Sequence, residues 1–353
     1  MGGIIVNHSG DVVKGTLEAL AASPLGGLVK PGARVSVKPN MVLARPPSEG
    51  ATTHPEIVEG IIIFLREKGV FDIEIIESAW VGDDTKRVYR VCGFDKLSEK
   101  YGARLYDLKD DKIRKVKAGN YTFEICEKAL ETDFLINVPV LKAHCQTRMT
   151  CCLKNLKGCI SDREKRNFHA MGLHRPIAYL NAVIKTSFCV IDGICGDLTF
   201  EEGGNPVARN MIICGQDPVL LDSYCAGLLG FDAADIDYIG IASDLGVGRL
   251  YGSETPVIEL NADNKPSAPE PSGLARRLSA HIDGDKACSA CYSALISALN
   301  RAGRYRGGKI CVGQGFRGKS GKLGCGDCAS GFENYVKGCP PSAAEIAKWL
   351  TDL

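Results

Sequence analysis

From Arg34 to about residue 245 the chain alternates short β-branched runs with segments whose apolar residues recur at helical spacing. Few folds accommodate that pattern. Arg34-Val35-Ser36-Val37 is strand-like and closes on Lys38-Pro39-Asn40. Residues 55–68 put Ile57, Ile61, Phe64 and Leu65 on one helical face and stop at Gly69. Residues 71–76 read as a strand, and 86–101 as a helix that Gly93 interrupts. The apolar runs 134–140, 188–192 and 211–214 have strand length, and helical patterns cover 177–186, 218–229 and 236–245. This alternation predicts an α/β fold, a mainly parallel sheet with helices on both faces.

The composition shifts at Asn261, where thirteen residues carry three prolines and few apolar side chains. The organisation expected is therefore an α/β domain over 1–260, a linker over 261–284 and a small module over 285–353. No stretch approaches the roughly 20 apolar residues of a membrane helix, and the first ten residues lack the features of a secretory signal. With 43 basic against 42 acidic residues, a surface that coats nucleic acid or membrane is not expected. These features point to the cytoplasm, a reducing compartment in which sixteen cysteines are not a disulfide scaffold.

Six of those cysteines bunch in the small module: Cys288, Cys291, Cys311, Cys325, Cys328 and Cys339. Cys288-Ser-Ala-Cys291 sets two thiolates one turn apart ahead of an amphipathic run (Leu295, Ile296, Leu299). Gly324-Cys325-Gly326-Asp327-Cys328 and Gly338-Cys339-Pro340-Pro341 follow. A 4Fe-4S cluster needs four thiolates converging from different directions, and Gly/Pro-rich turns bring backbone N–H groups close to its sulfides. The ligands expected are Cys288, Cys291, Cys328 and Cys339, with Cys325 the substitute and Cys311 a buried thiol. Zinc in a Cys₄ ribbon is the alternative metal. Ser342 and Glu345 form a capping box for a closing helix over 343–350.

Residues 313–320, GQGFRGKS, match the phosphate-loop pattern letter for letter. A working phosphate loop opens a helix, whereas Gly321-Lys-Leu-Gly324-Cys325-Gly326 does not continue as one. The expectation is a loop that wraps the cluster.

Between Lys142 and Arg175 eight basic residues stand against Asp162 and Glu164, and His144, His169 and His174 lie in the same stretch. Lys142 follows an apolar strand, at the strand end where open α/β sheets bind ligands. Lys38 and Asn40 follow another strand. Thr53 and His54 precede Pro55 at a helix start, where free N–H groups accept anions. Taken singly, Thr53 or His54 reads as an ordinary helix cap; Asp192, Asp217 and Asp222 could hold a cation or polarise a substrate, but each alone reads as a turn or capping residue. Cys145, Cys151, Cys152 and Cys159 could build a second metal site with His144, but their spacing fits no common ligand pattern, so most are expected to be buried thiols.

Several motifs occur together in order: Lys38-Pro39-Asn40, Thr53-His54-Pro55, Val138-Pro139-Val140-Leu141-Lys142-x-His144, Leu153-Lys154-Asn155-x-x-Gly158, Ile191-Asp192-Gly193 and Gly215-Gln-Asp217-Pro218-Val-x-Leu-Asp222. Jointly they resemble the domain-of-unknown-function family number 362, over about residues 34 to 245. The resemblance implies an α/β domain paired with iron–sulfur chemistry, usually in anaerobes, and supplies no reaction. The C-terminal cysteines depart from the two-cluster ferredoxin run, which favours one cluster of unusual spacing over a simple electron carrier.

The function expected is an iron–sulfur oxidoreductase acting on an anionic small molecule. Lys38, Asn40, Thr53, His54, Lys154 and Asn155 would bind the substrate. Lys142 would neutralise its charge, His144 would move a proton, and a redox partner protein would exchange electrons. The alternatives are a dehydratase-type enzyme with the cluster as Lewis acid, and an electron-transfer or scaffold protein docking an acidic partner.

Overall fold

A computed structural model describes residues 3–144, 146–197, 206–265, 278–287, 289–303 and 305–353. Its strands are β1 (Ile4–His8), β2 (Val35–Pro39), β3 (Ile73–Glu77), β4 (Arg104–Asp107), β5 (Ile113–Ala118), β6 (Tyr121–Cys126), β7 (Phe134–Val138), β8 (Lys142–His144), β9 (Arg148–Thr150), β10 (Phe188–Asp197), β11 (Pro206–Gly215) and β12 (Val257–Leu260). A C-terminal group adds β13 (Ile282–Gly284), β14 (Ile310–Val312), β15 (Leu323–Cys325) and β16 (Asn334–Val336).

Eight strands form one sheet in the order β12-β1-β11-β10-β7-β2-β3-β4. The strands β1, β2 and β3 are buried along their whole length, as a sheet covered on both faces requires. Alternate side chains feed two cores. Val35, Val37, Ile75, Ile136 and Val190 pack with the helices Val12–Ala22, Pro55–Glu67 and Phe94–Tyr101. Ile76, Leu135, Ile191 and Ile213 pack with the helices His174–Val183, Pro218–Leu228 and Asp237–Asp244 on the other face.

The sheet is mainly parallel, with one exception. β11 runs antiparallel to both β1 and β10, because it returns directly from β10 instead of through a crossover helix. Two further features differ from the sequence reading. The interruption expected at Gly93 is complete: it separates two helices, Thr85–Val91 and Phe94–Tyr101, where the sequence reads as one interrupted helix. The hairpin β5–β6 was not anticipated, since β5 is mostly exposed and offers no apolar run.

The small C-terminal module is a parallel sheet β13-β14-β15-β16 under the helices Ser289–Ala302 and Ala343–Thr351. Its core is Ile282, Leu295, Leu299, Ile310, Val312, Val336 and Ile346. Ile282–Gly284 already belongs to this sheet, so the module begins a few residues before 285. The linker expected over 261–284 falls partly outside the described residues. The capping box of Ser342 and Glu345 is present in full. Among the described residues no helix is long and apolar enough to cross a membrane.

The helices Val12–Ala22 and Pro55–Glu67 approach closely at Gly60, where a β-carbon would lie 2.7 Å from Thr16 Cβ. Gly60→Ala should lower the unfolding free energy measured by urea denaturation. Overpacking of about 1–3 kcal/mol outweighs the ~1 kcal/mol of helix propensity that alanine adds.

Candidate functional site

The parallel strands β2, β3 and β7 end along one edge of the sheet, and the chain leaving each contributes to a single cavity of about 750 Å³. Asn40 follows β2, Glu77 and Ser78 stand at the end of β3, and Lys142 and His144 come after β7. Lys154 and Asn155, from the short helix Cys152–Asn155, complete this wall. The opposite wall is the cysteine module: Cys291, Gly313, Gln314, Arg317 and the loops around Cys325, Cys328 and Cys339. Hydrogen bonds join the walls: Gln146 Nε2 donates to the Lys286 carbonyl and Gln314 Nε2 to the His169 carbonyl, each at 3.4 Å.

Beneath the floor lies a fully buried polar network. Lys38 Nζ donates to Glu77 Oε2 at 2.8 Å, with both side chains out of water. Burial raises the Glu77 carboxyl above its ordinary range, against the pull of Lys38. Asn155 Oδ1 accepts from Asn40 Nδ2 at 2.9 Å and from Lys38 Nζ at 3.4 Å, while Asn155 Nδ2 donates to Asn137 Oδ1 at 2.7 Å. A β-carbon on Gly158 would sit 2.0 Å from Glu77 Oε1, so the glycine in Leu153-Lys154-Asn155-x-x-Gly158 makes room for the ion pair. Lys38 thus supports the cavity and does not line it.

The lining is cationic: Lys142, Lys154, Lys157, Lys165, Arg166 and Arg317 against Glu77 and Asp327. Lys142 is fully buried and donates to the Ala51 carbonyl at 2.5 Å. Lys165 donates to the carbonyls of Ser78 and Ala79 at 3.0 and 2.9 Å and fastens the turn after β3. His144 Nδ1 accepts the backbone N–H groups of Gln146 and Thr147 at 3.1 and 3.2 Å, which leaves the ring proton on Nε2. Burial, then Lys154 and Lys157, hold His144 well below the usual imidazole range. It is therefore neutral, and an N–H donor through Nε2. His169 lies beside it, depressed to about 3 by burial and by Lys157 and Lys154.

Thr53 and His54 face elsewhere. Thr53 Oγ1 accepts from Asn40 N and donates to the Val138 carbonyl, both at 2.8 Å, so it pins β2 to β7. His54 pairs with Asp192, Nδ1 to Oδ2 at 2.9 Å. Of the residues read from sequence as binding an anion, the cavity gathers Asn40, Lys142, His144, Lys154 and Asn155. Lys38, Thr53 and His54 lie outside its lining.

The module's cysteines open on the same cavity. Cys291 sits in the first turn of its helix, Cys325 ends β15, Cys328 lies in the 3₁₀ turn Asp327–Ala329, and Cys339 lies on a loop. Gly326 and Gly338, at φ 87° and 136°, adopt backbone angles that side chains disfavour. A β-carbon on Gly326 would lie 3.5 Å from Cys291 Sγ. The two loops are stitched by Asp327 N to the Gly338 carbonyl at 2.9 Å and Gly338 N to Asp327 Oδ1 at 2.8 Å. Arg317 Nε donates to Cys328 Sγ at 3.4 Å. Four thiols lining one cavity from a helix, a strand, a 3₁₀ turn and a loop suit the donor types of a thiolate-bound metal or cluster. Cys288 is outside the described residues. Cys311 is half-buried on β14, away from the cavity.

The phosphate-loop match opens no helix: Gln314–Phe316 forms a single 3₁₀ turn, and Lys319 Nζ pairs with Asp285 at 3.4 Å. A second group of possible metal ligands lies inside the large domain. Cys151 and Cys152 sulfurs and an Asp222 oxygen fall within 4.8 Å of one another, all fully buried, and can hold a metal ion. Asp222 accepts Cys152 N and Leu153 N at 2.7 and 3.1 Å, and burial raises its carboxyl well above the usual range. Sequence spacing missed this group because Asp222 enters from a helix seventy residues away, whereas Cys159 lies apart and Cys145 is outside the described residues.

Residues 35–227 match the family model described as Domain of unknown function (DUF362). The chain belongs to this family. It is also similar to the Thylakoid-associated protein sll1697 of Synechocystis sp., 25% identical over 243 residues, 64% of this chain and 72% of that protein. Among solved structures it resembles the lactate racemase apoprotein of Thermoanaerobacterium thermosaccharolyticum, with 17% identity, TM-score 0.39, and coverage of 53% of this chain and 50% of that one. A Thermotoga maritima protein matches at 14% identity and TM-score 0.36, covering 52% of this chain and 51% of that one. The chain spans about half the length of these two structures.

The histidines set the pH dependence of stability. His169, depressed to about 3, binds fewer protons folded than unfolded, so its contribution is lost as pH falls from about 6.5 toward 3. In His54 burial lowers the pKa, but the Asp192 charge and hydrogen bond, with Cys195, outweigh it and raise the ring to about 11. Its contribution is present below about 6.5 and lost as pH rises toward 11. Denaturation curves against pH should show His169→Gln flattening the acid limb and His54→Gln the alkaline limb, each by up to about 1.4 kcal/mol per pH unit.

Proposed function

We propose that this chain is an iron–sulfur protein, an oxidoreductase for an anionic small molecule held between the α/β domain and a cluster on the C-terminal module. The observation that carries the reading is the shared cavity: the cationic strand-end wall and Cys291, Cys325, Cys328 and Cys339 line the same cleft. Cys291, Cys328 and Cys339, with Cys288, would hold a 4Fe-4S cluster. Cys325, at the end of β15 and lining the same cavity, would be the substitute ligand. The cluster, when bound, supplies one-electron chemistry next to the bound anion. A redox partner protein in a reducing cytoplasm would be the electron source.

The chain's own residues bind and orient. Lys142 and Lys154 neutralise the anion where the low dielectric of a closed cleft strengthens each charge. His144, neutral with its proton on Nε2, donates a hydrogen bond to a substrate oxygen and can release that proton as charge develops there. Asn40 and Asn155, locked to Lys38 and Glu77, hold the floor rigid.

Protein purified without oxygen should be brown and contain iron and acid-labile sulfide. Cys328→Ser and Cys339→Ser should lose both, while Cys189→Ser and Cys214→Ser, in β10 and β11 of the large sheet, should keep them. Stoichiometric zinc without iron would overturn the cluster assignment.

The anion wall is tested separately by calorimetric titration with sulfate. Lys142→Ala and Lys154→Ala should each weaken binding at least tenfold. Unchanged affinity in both variants would rule the cavity out as an anion site.

A further inference from the structure

Away from the cavity, three side chains from distant parts of the sequence meet in the order that activates cysteine nucleophiles. His54, at the start of the helix Pro55–Glu67, points Nδ1 at Asp192 Oδ2, 2.9 Å away, and its backbone N–H donates to the same oxygen at 2.7 Å. Its other ring nitrogen, Nε2, lies 3.9 Å from Cys195 Sγ, which also faces the Pro47 carbonyl at 3.5 Å. Asp192 is fully buried, Cys195 is 8% exposed, and the His54 side chain is 14% exposed. None of the three lines the cavity of the proposed cluster.

The strand geometry makes this meeting unexpected. Asp192 and Cys195 are three residues apart on β10, and in an even strand they would point to opposite faces. The pairing with β11 slips between Gly193 and Cys195. Gly193 faces Met211 and Cys195 faces Ala208, so two residues of β11, Arg209 and Asn210, oppose Ile194 alone. Asn210 takes the left-handed backbone at φ 48°. Such a bulge bends and overtwists its ladder and re-aims side chains beside it. Here both side chains reach the two nitrogens of one imidazole.

We propose that Cys195, His54 and Asp192 form a nucleophilic site, in which the Cys195 sulfur attacks a carbon electrophile bearing a leaving group, such as an activated acyl group. Asp192 is the positioning residue: it holds the imidazole with Nδ1–H toward itself and Nε2 toward the sulfur. In the step a bond forms from sulfur to the acyl carbon, and the bond from that carbon to the leaving group breaks with its electron pair. The leaving group departs with the proton supplied through His54 Nε2, and the thiol's own proton restores the ring. The net change is thiol plus acyl donor to thioester plus protonated leaving group. The imidazole, paired through Nδ1 with the Asp192 carboxylate at 2.9 Å, turns Nε2 to the sulfur at 3.9 Å, the arrangement of an activated cysteine. Asp192 and Cys195 are the two titratable groups that raise the His54 ring.

The test is alkylation of the native full-length protein by iodoacetamide, with the rate at each cysteine read by peptide mass spectrometry. Cys92 is the internal reference: it is 3% exposed against 8% for Cys195, burial pushes its thiol up to about 11, it donates to the Arg45 carbonyl at 3.2 Å, and among the described residues it has no imidazole partner. At pH 6.5 Cys195 should react at least tenfold faster than Cys92. His54→Gln should remove that advantage at the same site, which controls for exposure. Asp192→Asn should move the Cys195 pH–rate profile to higher pH while leaving that of Cys92 in place, a shift that a purely structural role would not produce. Equal rates in the wild type would overturn the proposal, as would an undiminished Cys195 rate in folded His54→Gln. The wild-type ratio decides the matter if the variants do not fold.

Discussion

At the carboxyl ends of β2 and β3 a lysine and a glutamate lie 2.8 Å apart and out of water. Removing two charges from solvent costs several kcal/mol each unless every remaining donor and acceptor is satisfied. The surroundings meet that demand. Glu77 Oε1 accepts Ser78 N and Oε2 also accepts Met41 N, while Lys38 reaches the Pro39 carbonyl and Asn155. Because Asn155 answers in turn to Asn40 and Asn137, one ion pair fixes the ends of three strands and the start of the basic segment. The cavity above has its shape because this layer cannot rearrange piecemeal.

The same layer explains how so many cations gather on one wall. Lys165 is bound by carbonyls of the turn after β3 and Lys142 by the Ala51 carbonyl, so the positive charges are distributed along backbone dipoles as well as toward acids. His144 and His169 respond by staying neutral. Fixed cations beside neutral imidazole donors are the groups that the proposed anion site would use.

Much of this was legible in the sequence. The strand and helix periods foretold the doubly covered sheet, and the position of Lys142 after an apolar run placed it at a strand end. The capping box at Ser342 was readable from two residues. What could not be read was pairing across long separations. Glu77 looked like the end of an ordinary strand, since nothing local shows that its carboxylate meets Lys38. Asp222 looked like a helix residue, although its oxygens receive the N–H groups that follow Cys151. His54 looked like an anion ligand because a helix start favours one, and only the fold shows that a buried aspartate already fills that role. The antiparallel return of β11 was equally hidden, because burial on both faces erases the alternation that distinguishes such strands.

The slip between β10 and β11 has a consequence for how this chain can vary over generations. Asn210 donates no atom to Cys195, His54 or Asp192, yet the length of its strand sets the twist at which they meet. Loss of that single codon would even out the ladder and leave both apolar cores filled. The three side chains would still be encoded, but the pairing that sets Cys195 opposite Ala208 and Gly193 opposite Met211 would be lost. In descendants of this chain, the count of residues between Ala208 and Met211 is therefore as informative about the trio as the identity of its members.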